Sequence, residues 1–279
     1  NMLFFKFEDD AAGRRIADAL IRKSEEGVLV RLIYDDAGNL MVPRRFYRKL
    51  RKHGIQVRGF IRIFLPILSR DYNSRNHRKI VVIDGRVGYM GGMNIAQRYA
   101  EGLKWGIWRD THMRITGPAV SELQTSFLTD WKFTKGDEPD LAPMYPYNPP
   151  CGNTLMQIVT GGPMDKWNVM MQAYMTAIAS ARHHAYLQSP YFIPPEPIMK
   201  TLQNAALSGV DVRVMIPYRG DKGVLPPWAS RSYIKEALNA GIRMYLSRKG
   251  YMHAKTLVID DSLVTIGSTN LDFRGFEQD

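Results

Sequence analysis

The stretch His77-Arg78-Lys79-Ile80-Val81-Val82-Ile83-Asp84, followed by Gly91-Gly92-Met93-Asn94, governs how the rest of this chain is read. It is written twice, since His253-Ala254-Lys255-Thr256-Leu257-Val258-Ile259-Asp260 is followed by Gly267-Ser268-Thr269-Asn270. In both copies Lys stands two residues after His, Asp seven after and Asn seventeen after, an agreement of order and spacing that chance does not readily produce. In a strand, residues two apart face the same way. His77 and Lys79 are therefore expected on one face, and His253 and Lys255 on one face of a second strand.

The repeat extends outward from the motif. Gly27-Val28-Leu29-Val30-Arg31 is matched by Ser208-Gly209-Val210-Asp211-Val212-Arg213. In the first half a strand over 2–7 precedes a helix that Asp9 or Asp10 could cap, carrying Ile16, Ala17, Leu20 and Ile21 at helical spacing and closed by Gly27. A strand over 28–34, a helix over 44–52 and a strand over 55–63 follow. Ile107 to Ile115 reads as one further strand, and Gly117-Pro118 opens a helix with an apolar stripe at Val120, Leu123, Phe127, Leu128 and Trp131. The second half replays this order, from a helix through Met171, Tyr174, Met175 and Ile178 to the strand that carries His253. The repeat is too long for a solenoid, so the expectation is an α/β fold built by duplication: two mixed, largely parallel sheets flanked by helices and packed with pseudo-two-fold symmetry. From Lys135 to Pro150 the composition shifts to Pro, Gly, Asp and Asn, a linker signature. The boundaries read from the sequence are a first half over 1–138, a proline-rich linker over 139–152 and a second half over 153–279 whose C-terminal edge is cut short.

Composition narrows the partners. Of 279 residues 45 % are apolar, enough for a substantial core, and 38 Lys and Arg outnumber 27 Asp and Glu for a net charge of +11. Such a balance fits nucleic acid, an anionic lipid surface or a phosphorylated substrate, and charge alone does not choose among them. The single cysteine, Cys151, excludes an intramolecular disulfide and argues against a cysteine-based zinc site. The sequence has no apolar run of eighteen residues, and residues 1–7 lack a signal-peptide layout. The apolar cluster at Phe64, Leu65, Pro66, Ile67 and Leu68 reads as a packed loop, with a lip on acyl chains as the sharper alternative.

If the two halves pack about a dyad, the motif faces converge, and the site holds two imidazoles, two ammonium groups and two side-chain amides. That set suits an anionic tetrahedral phosphorus centre. Lys79, Lys255, Asn94 and Asn270, with the Ser268 hydroxyl, would donate to its oxygens. One histidine would attack phosphorus and the other would protonate the departing alkoxide, then serve as base for an incoming alcohol or water. Two lysines in one site oppose a divalent cation, so no metal and no cofactor is expected. Asp84-Gly85 and Asp260-Asp261-Ser262 follow apolar strands and read as hairpin turns, which makes Asp84 and Asp260 structural. Each catalytic imidazole needs a carboxylate on its other nitrogen. Asp110 is the candidate for His77, and Glu277, or failing that Asp279, for His253. His53, His183 and His184 read as solvated side chains near helix ends, and Tyr191 and Trp228 as packing residues before lining of a lipid entrance.

The paired H-x-K-x4-D motifs, each with G-G/S-x-N, resemble the signature of the phospholipase D superfamily. Arg75-Asn76-His77-Arg78-Lys79, Trp108-Arg109-Asp110, Ser189-Pro190-Tyr191-Phe192-Ile193-Pro194 and Asn270-Leu271-Asp272-Phe273-Arg274 are similar to its bacterial cardiolipin synthase branch. The resemblance implies metal-independent phosphatidyl transfer through a phosphohistidine, in which two phosphatidylglycerols yield cardiolipin and glycerol. It favours His77 as nucleophile and His253 as acid and base. It also implies anionic phospholipid as partner at a bacterial cell membrane, on the cytoplasmic side, peripheral or held by segments absent from this chain. A phospholipase D-type hydrolase or nuclease of the same superfamily is the alternative. Gly92 stands where superfamily members often have Ser, and the chain stops at Phe276-Glu277-Gln278-Asp279, where the family carries an orienting carboxylate just beyond.

Overall fold

The computed structural model describes residues 1–61, 75–162, 167–220 and 225–277, with the side chains of 225–229 and 277 left out. The apolar cluster at Phe64 to Leu68, Asp279 and the Trp228 and Glu277 side chains lie outside the described residues.

Two compact units emerge, one comprising 1–100 and 112–158, the other 101–111 and 159–279. In the first, β1 (Met2–Phe4) leads to α1 (Ala11–Glu25), β2 (Arg31–Asp35), α2 (Arg44–Lys52) and β3 (Gln56–Phe60). The motif strand β4 (Lys79–Ile83) then forms a hairpin with β5 (Val87–Gly91), and α3 (Gln97–Glu101) follows. After β6 (Ile107–Arg109), which belongs to the other unit, come β7 (His112–Thr116) and α4 (Ala119–Phe133). The second unit continues with α5 (Val169–Ala179), β8 (His184–Gln188), β9 (Phe192–Ile193), α6 (Glu196–Leu207), β10 (Asp211–Pro217), α7 (Leu225–Asn239), β11 (Arg243–Ser247) and β12 (Gly250–Met252). It closes with β13 (Thr256–Ile259), β14 (Leu263–Ile266), β15 (Leu271–Asp272) and α8 (Phe273–Glu277).

The sheets repeat one topology, β3-β2-β1-β4-β5-β7 in the first unit and β11-β10-β8-β13-β14 in the second. Strands on one side, reached through helices, pair in parallel. The motif strands β4 and β13 pair antiparallel with β1 and β8 and begin hairpins, so each sheet is parallel on one side of the motif and antiparallel on the other. Both hairpins turn through aspartates in the left-handed region, Asp84 at φ 53° and Asp260 at φ 49°.

Alternation in β1 explains the layers of the first unit. Met2 and Phe4 pack with Leu32 and Val57 under α1 and α2, through Ala17, Ile21, Phe46 and Leu50. Leu3 points the other way and joins Ile33, Ile80 and Val82 under α4, against Val120, Leu123, Phe127 and Trp131. Asp10 caps α1 as the sequence suggests, its carboxylate accepting the Gly13 N–H at 2.8 Å. In the second unit Ala185, Leu187, Val212, Val214, Leu257 and Ile259 form one buried face against α5 and α6. The proline-rich segment is held down. Asn148 Nδ2 donates to the Gly85 carbonyl at 2.7 Å, and a Cβ on Gly85 would lie 2.4 Å from the Met144 carbonyl oxygen.

Among the described residues no helix is long and apolar enough to cross a membrane.

Candidate active site

The two motif copies are set up alike. Regular pairing begins only at Lys79 and Thr256, so His77 and His253 stand just ahead of their ladders, at the mouths of the central strands. Lys79 and Lys255 are each 1 % exposed, and each Nζ donates to the main-chain carbonyl of its own motif histidine. A buried ammonium needs a fixed acceptor, and this one locks the His-x-Lys geometry. Beyond each motif a short parallel contact recurs, Phe7 with Ile95 and Phe192 with Leu271. It brings Asn94 and Asn270, each 8 % exposed, to the ends of their sheets.

In the first unit the His77 ring meets Phe5 edge-on at 4.8 Å, and the Lys79 ammonium lies 5.3 Å from the same phenyl ring. Asn94 Oδ1 accepts the Lys6 N–H at 3.0 Å, and its Nδ2 donates to the Tyr99 hydroxyl at 3.0 Å. The loop after β2 supports this mouth. Asn39 Nδ2 donates to the carbonyls of Phe5 and Asp35, its Oδ1 accepts the Phe7 N–H, and an Asp35 oxygen accepts the Asn76 N–H at 3.1 Å. Burial pushes the Asp35 carboxyl up, against the pull of the Gly38 and Asn76 N–H groups. Arg78 Nη1 grips both Asp130 oxygens at 2.8 and 2.9 Å, which fastens the motif to α4.

In the second unit His253 carries a carboxylate. Asp110 Oδ2 lies 2.6 Å from His253 Nδ1, with the Asp110 side chain 1 % exposed. A carboxylate only accepts, so this contact assigns the proton to Nδ1 and leaves Nε2 for chemistry. Lys255 Nζ is 2.8 Å from the same nitrogen, and the Trp108 ring lies 5.3 Å from the imidazole. The His253 N–H donates to the Arg109 carbonyl at 2.7 Å. Ser189 Oγ accepts the Leu271 N–H at 2.9 Å beside Asn270, whose buried Oδ1 has no hydrogen-bond partner among the described residues. Asp272 caps α8 through the Gly275 N–H at 2.7 Å, and its burial raises the carboxyl despite Arg274 and Lys255 nearby.

A family model described as "Cardiolipin synthase, PLD-like domain" matches residues 2–131 and 174–279. The chain belongs to this cardiolipin synthase, phospholipase D-like family. It is 42 % identical over 278 residues to the cardiolipin synthase of Geobacillus kaustophilus, covering 98 % of this chain and 55 % of that protein. Against the major cardiolipin synthase ClsA of Bacillus subtilis it is 40 % identical over 283 residues, covering 99 % and 58 %. The chain therefore spans little more than half the length of these relatives. Among solved structures, a phosphatidylserine synthase of Haemophilus influenzae superposes over the whole chain and 74 % of its own with TM-score 0.71 at 16 % identity, a likeness of fold.

Seen as a cardiolipin synthase-family chain, one residue expected from the sequence changes place. Asp110, assigned to His77 on the premise of one continuous strand over 107–115, is found on His253. The strand breaks at Asp110-Thr111, where Asp110 Oδ1 takes the Thr111 N–H at 2.8 Å and removes it from the ladder. β6 then pairs with β12 in parallel, Met252 opposite Arg109, so the residues that follow, His253 and Asp110, meet. Glu277, expected on His253, ends α8, and its side chain lies outside the described residues. Asp260 is engaged with main chain: its oxygens accept the N–H groups of Arg182, His183 and His184 at 2.7 to 2.9 Å and hold its carboxyl well below the usual range, at about 2. Ser268, half-buried, lies in the turn between β14 and Asn270. Sequence reasoning gave no role to Asp35 at the end of β2, Tyr99 in the short helix α3, or the loop residues Asn39 and Ser189, because none of them belongs to a periodic pattern.

Proposed function

We propose that this chain is the catalytic part of a phosphatidyltransferase of cardiolipin-synthase type, acting on phosphatidylglycerol at an anionic membrane surface. The Asp110–His253 pair carries the reading, because a duplicated motif with one imidazole held in a single tautomer is what acid and base work on a phosphodiester requires. His77 attacks phosphorus of one phosphatidylglycerol, and the bond from phosphorus to the terminal glycerol oxygen breaks as His253 Nε2–H protonates the departing glycerol. His253, now neutral at Nε2, takes the proton from the free glycerol hydroxyl of a second phosphatidylglycerol. That oxygen attacks phosphorus, frees His77 and gives cardiolipin. Lys79, Lys255, Asn94, Asn270 and Ser268 stabilise the charge on the non-bridging oxygens.

The test is incubation with phosphatidylglycerol vesicles. Cardiolipin and free glycerol should appear in equal amounts and both should vanish in His77→Asn. Phosphatidic acid in place of cardiolipin would make water the acceptor, and cleavage of oligonucleotides with no lipid turnover would turn the reading to the nuclease side of the superfamily.

A further inference from the structure

The β6–β12 ribbon does more than join Asp110 to His253. At its outer end the backbones of Gly106 and Gly250 approach so closely that a Cβ on Gly106, at φ +153°, would lie 2.7 Å from the Gly250 Cα. A Cβ on Gly250, at φ +105°, would lie 2.1 Å from the Ile107 carbonyl oxygen. Only glycine permits this contact, which fixes Trp105 and Ile107 beside Arg248 and Lys249. Next to them, the Tyr218 N–H donates to the Ser247 carbonyl at 2.9 Å and ties the ends of β10 and β11 together.

This rim displays apolar side chains to water, Trp105 at 39 %, Ile107 at 61 %, Tyr218 at 39 % and Leu246 at 43 % exposure. Cations stand over its rings: the Arg219 guanidinium lies 5.9 Å from the Trp105 ring and that of Arg248 lies 5.1 Å from the Tyr218 ring. Tyr218 and Leu246 also line an open crevice with Pro190, Tyr191, Pro217 and Arg231.

Resting on the phospholipid reading above, we propose that this rim is the surface by which the second unit docks on an anionic lipid bilayer. Trp105, Ile107, Tyr218 and Leu246 enter the interfacial layer, and Arg219 and Arg248 take the lipid phosphates. Exposed aromatic rings suit the boundary between headgroups and acyl chains, and arginines at the same level complement an anionic leaflet. A net charge of +11 adds long-range attraction of the same sign. The placement is also useful: Ile107 precedes Asp110 by three residues, so docking brings the headgroup layer within about 10 Å of the Asp110–His253 pair.

The test compares binding of the full chain to sedimentable vesicles of phosphatidylglycerol and phosphatidylcholine with binding to phosphatidylcholine alone, with thermal midpoints checking that each variant is folded. The wild type should bind the anionic vesicles preferentially. Arg219→Glu/Arg248→Glu should weaken that binding on the order of 10- to 100-fold. Trp105→Ala/Ile107→Ser should weaken it about 10-fold on both vesicle types. A charge-matched Lys23→Glu/Lys200→Glu control should stay within about threefold. Folded rim variants that bind as the wild type does, or lose no more than the control, would overturn the proposal, as would preference for a single-stranded oligonucleotide over anionic vesicles. Rim-dependent binding without cardiolipin formation would uphold the docking surface and sink the proposed reaction. Cardiolipin formation with binding indifferent to the rim would do the reverse.

Discussion

Asp110 acts on a histidine 143 residues away, and its contribution can be measured apart from binding. Asp110→Asn keeps the shape but can donate where the carboxylate only accepted, which favours the wrong tautomer of His253. Turnover should fall about 10²- to 10⁴-fold with KM for lipid little changed, and the acid and base limbs of the pH–rate profile should move, which a merely structural role would not cause. Asp260 makes a different prediction. Its folded-state pKa is depressed to about 2, so its stabilisation is complete above the ordinary carboxylate value of 3.8 and is lost as pH falls toward 2. Asp260→Ala should lower the unfolding midpoint at neutral pH. It should also flatten the pH dependence of stability between about 4 and 2, which thermal melts across that window would show.

The helices and strands that cover the first sheet were legible from periodicity alone. The α4 stripe at Val120, Leu123, Phe127 and Trp131 is the buried face of that helix, as its spacing predicts. Trp131, 1 % exposed, also donates to the Asp137 carbonyl at 3.2 Å. Trp131→Ala should therefore cost about 3–5 kcal/mol by chemical denaturation, with an unchanged m-value. Gly88 is matched to the same helix, since a Cβ there would lie 2.6 Å from Leu123 Cδ1. Gly88→Val should destabilise by about 1–3 kcal/mol, and a simultaneous Leu123→Ala should recover part of that loss. What periodicity could not supply was the break at Asp110-Thr111. Ile107 to Ile115 alternates well enough for one strand, and the decision to leave the ladder rests on a single side chain bonding its neighbour's N–H. Nor could it find Asn39 or Ser189, whose value lies in the backbone groups they satisfy far along the chain. The sequence placed each motif lysine on the face of its histidine, but their burial and their locking bond to the histidine carbonyl are invisible in a pattern of letters.

At the scale of the whole chain, the duplication seen in the sequence is real in topology, yet the units are not consecutive, because residues 101–111 lie within the first half and pack in the second unit. Cutting the connection after residue 158 should therefore give fragments 1–158 and 159–279 that co-purify when expressed together through the β6–β12 pairing, and Gly250→Val should weaken that association in a pull-down. The same crossing limits how such a gene can be recombined. Exchanging residues 1–100 with those of a relative keeps Trp108-Arg109-Asp110 with its own Tyr251-Met252-His253, whereas exchanging 1–158 pairs each with a stranger. Residues 107–110 and 250–253 are thus one unit of exchange, although they stand in different halves of the chain.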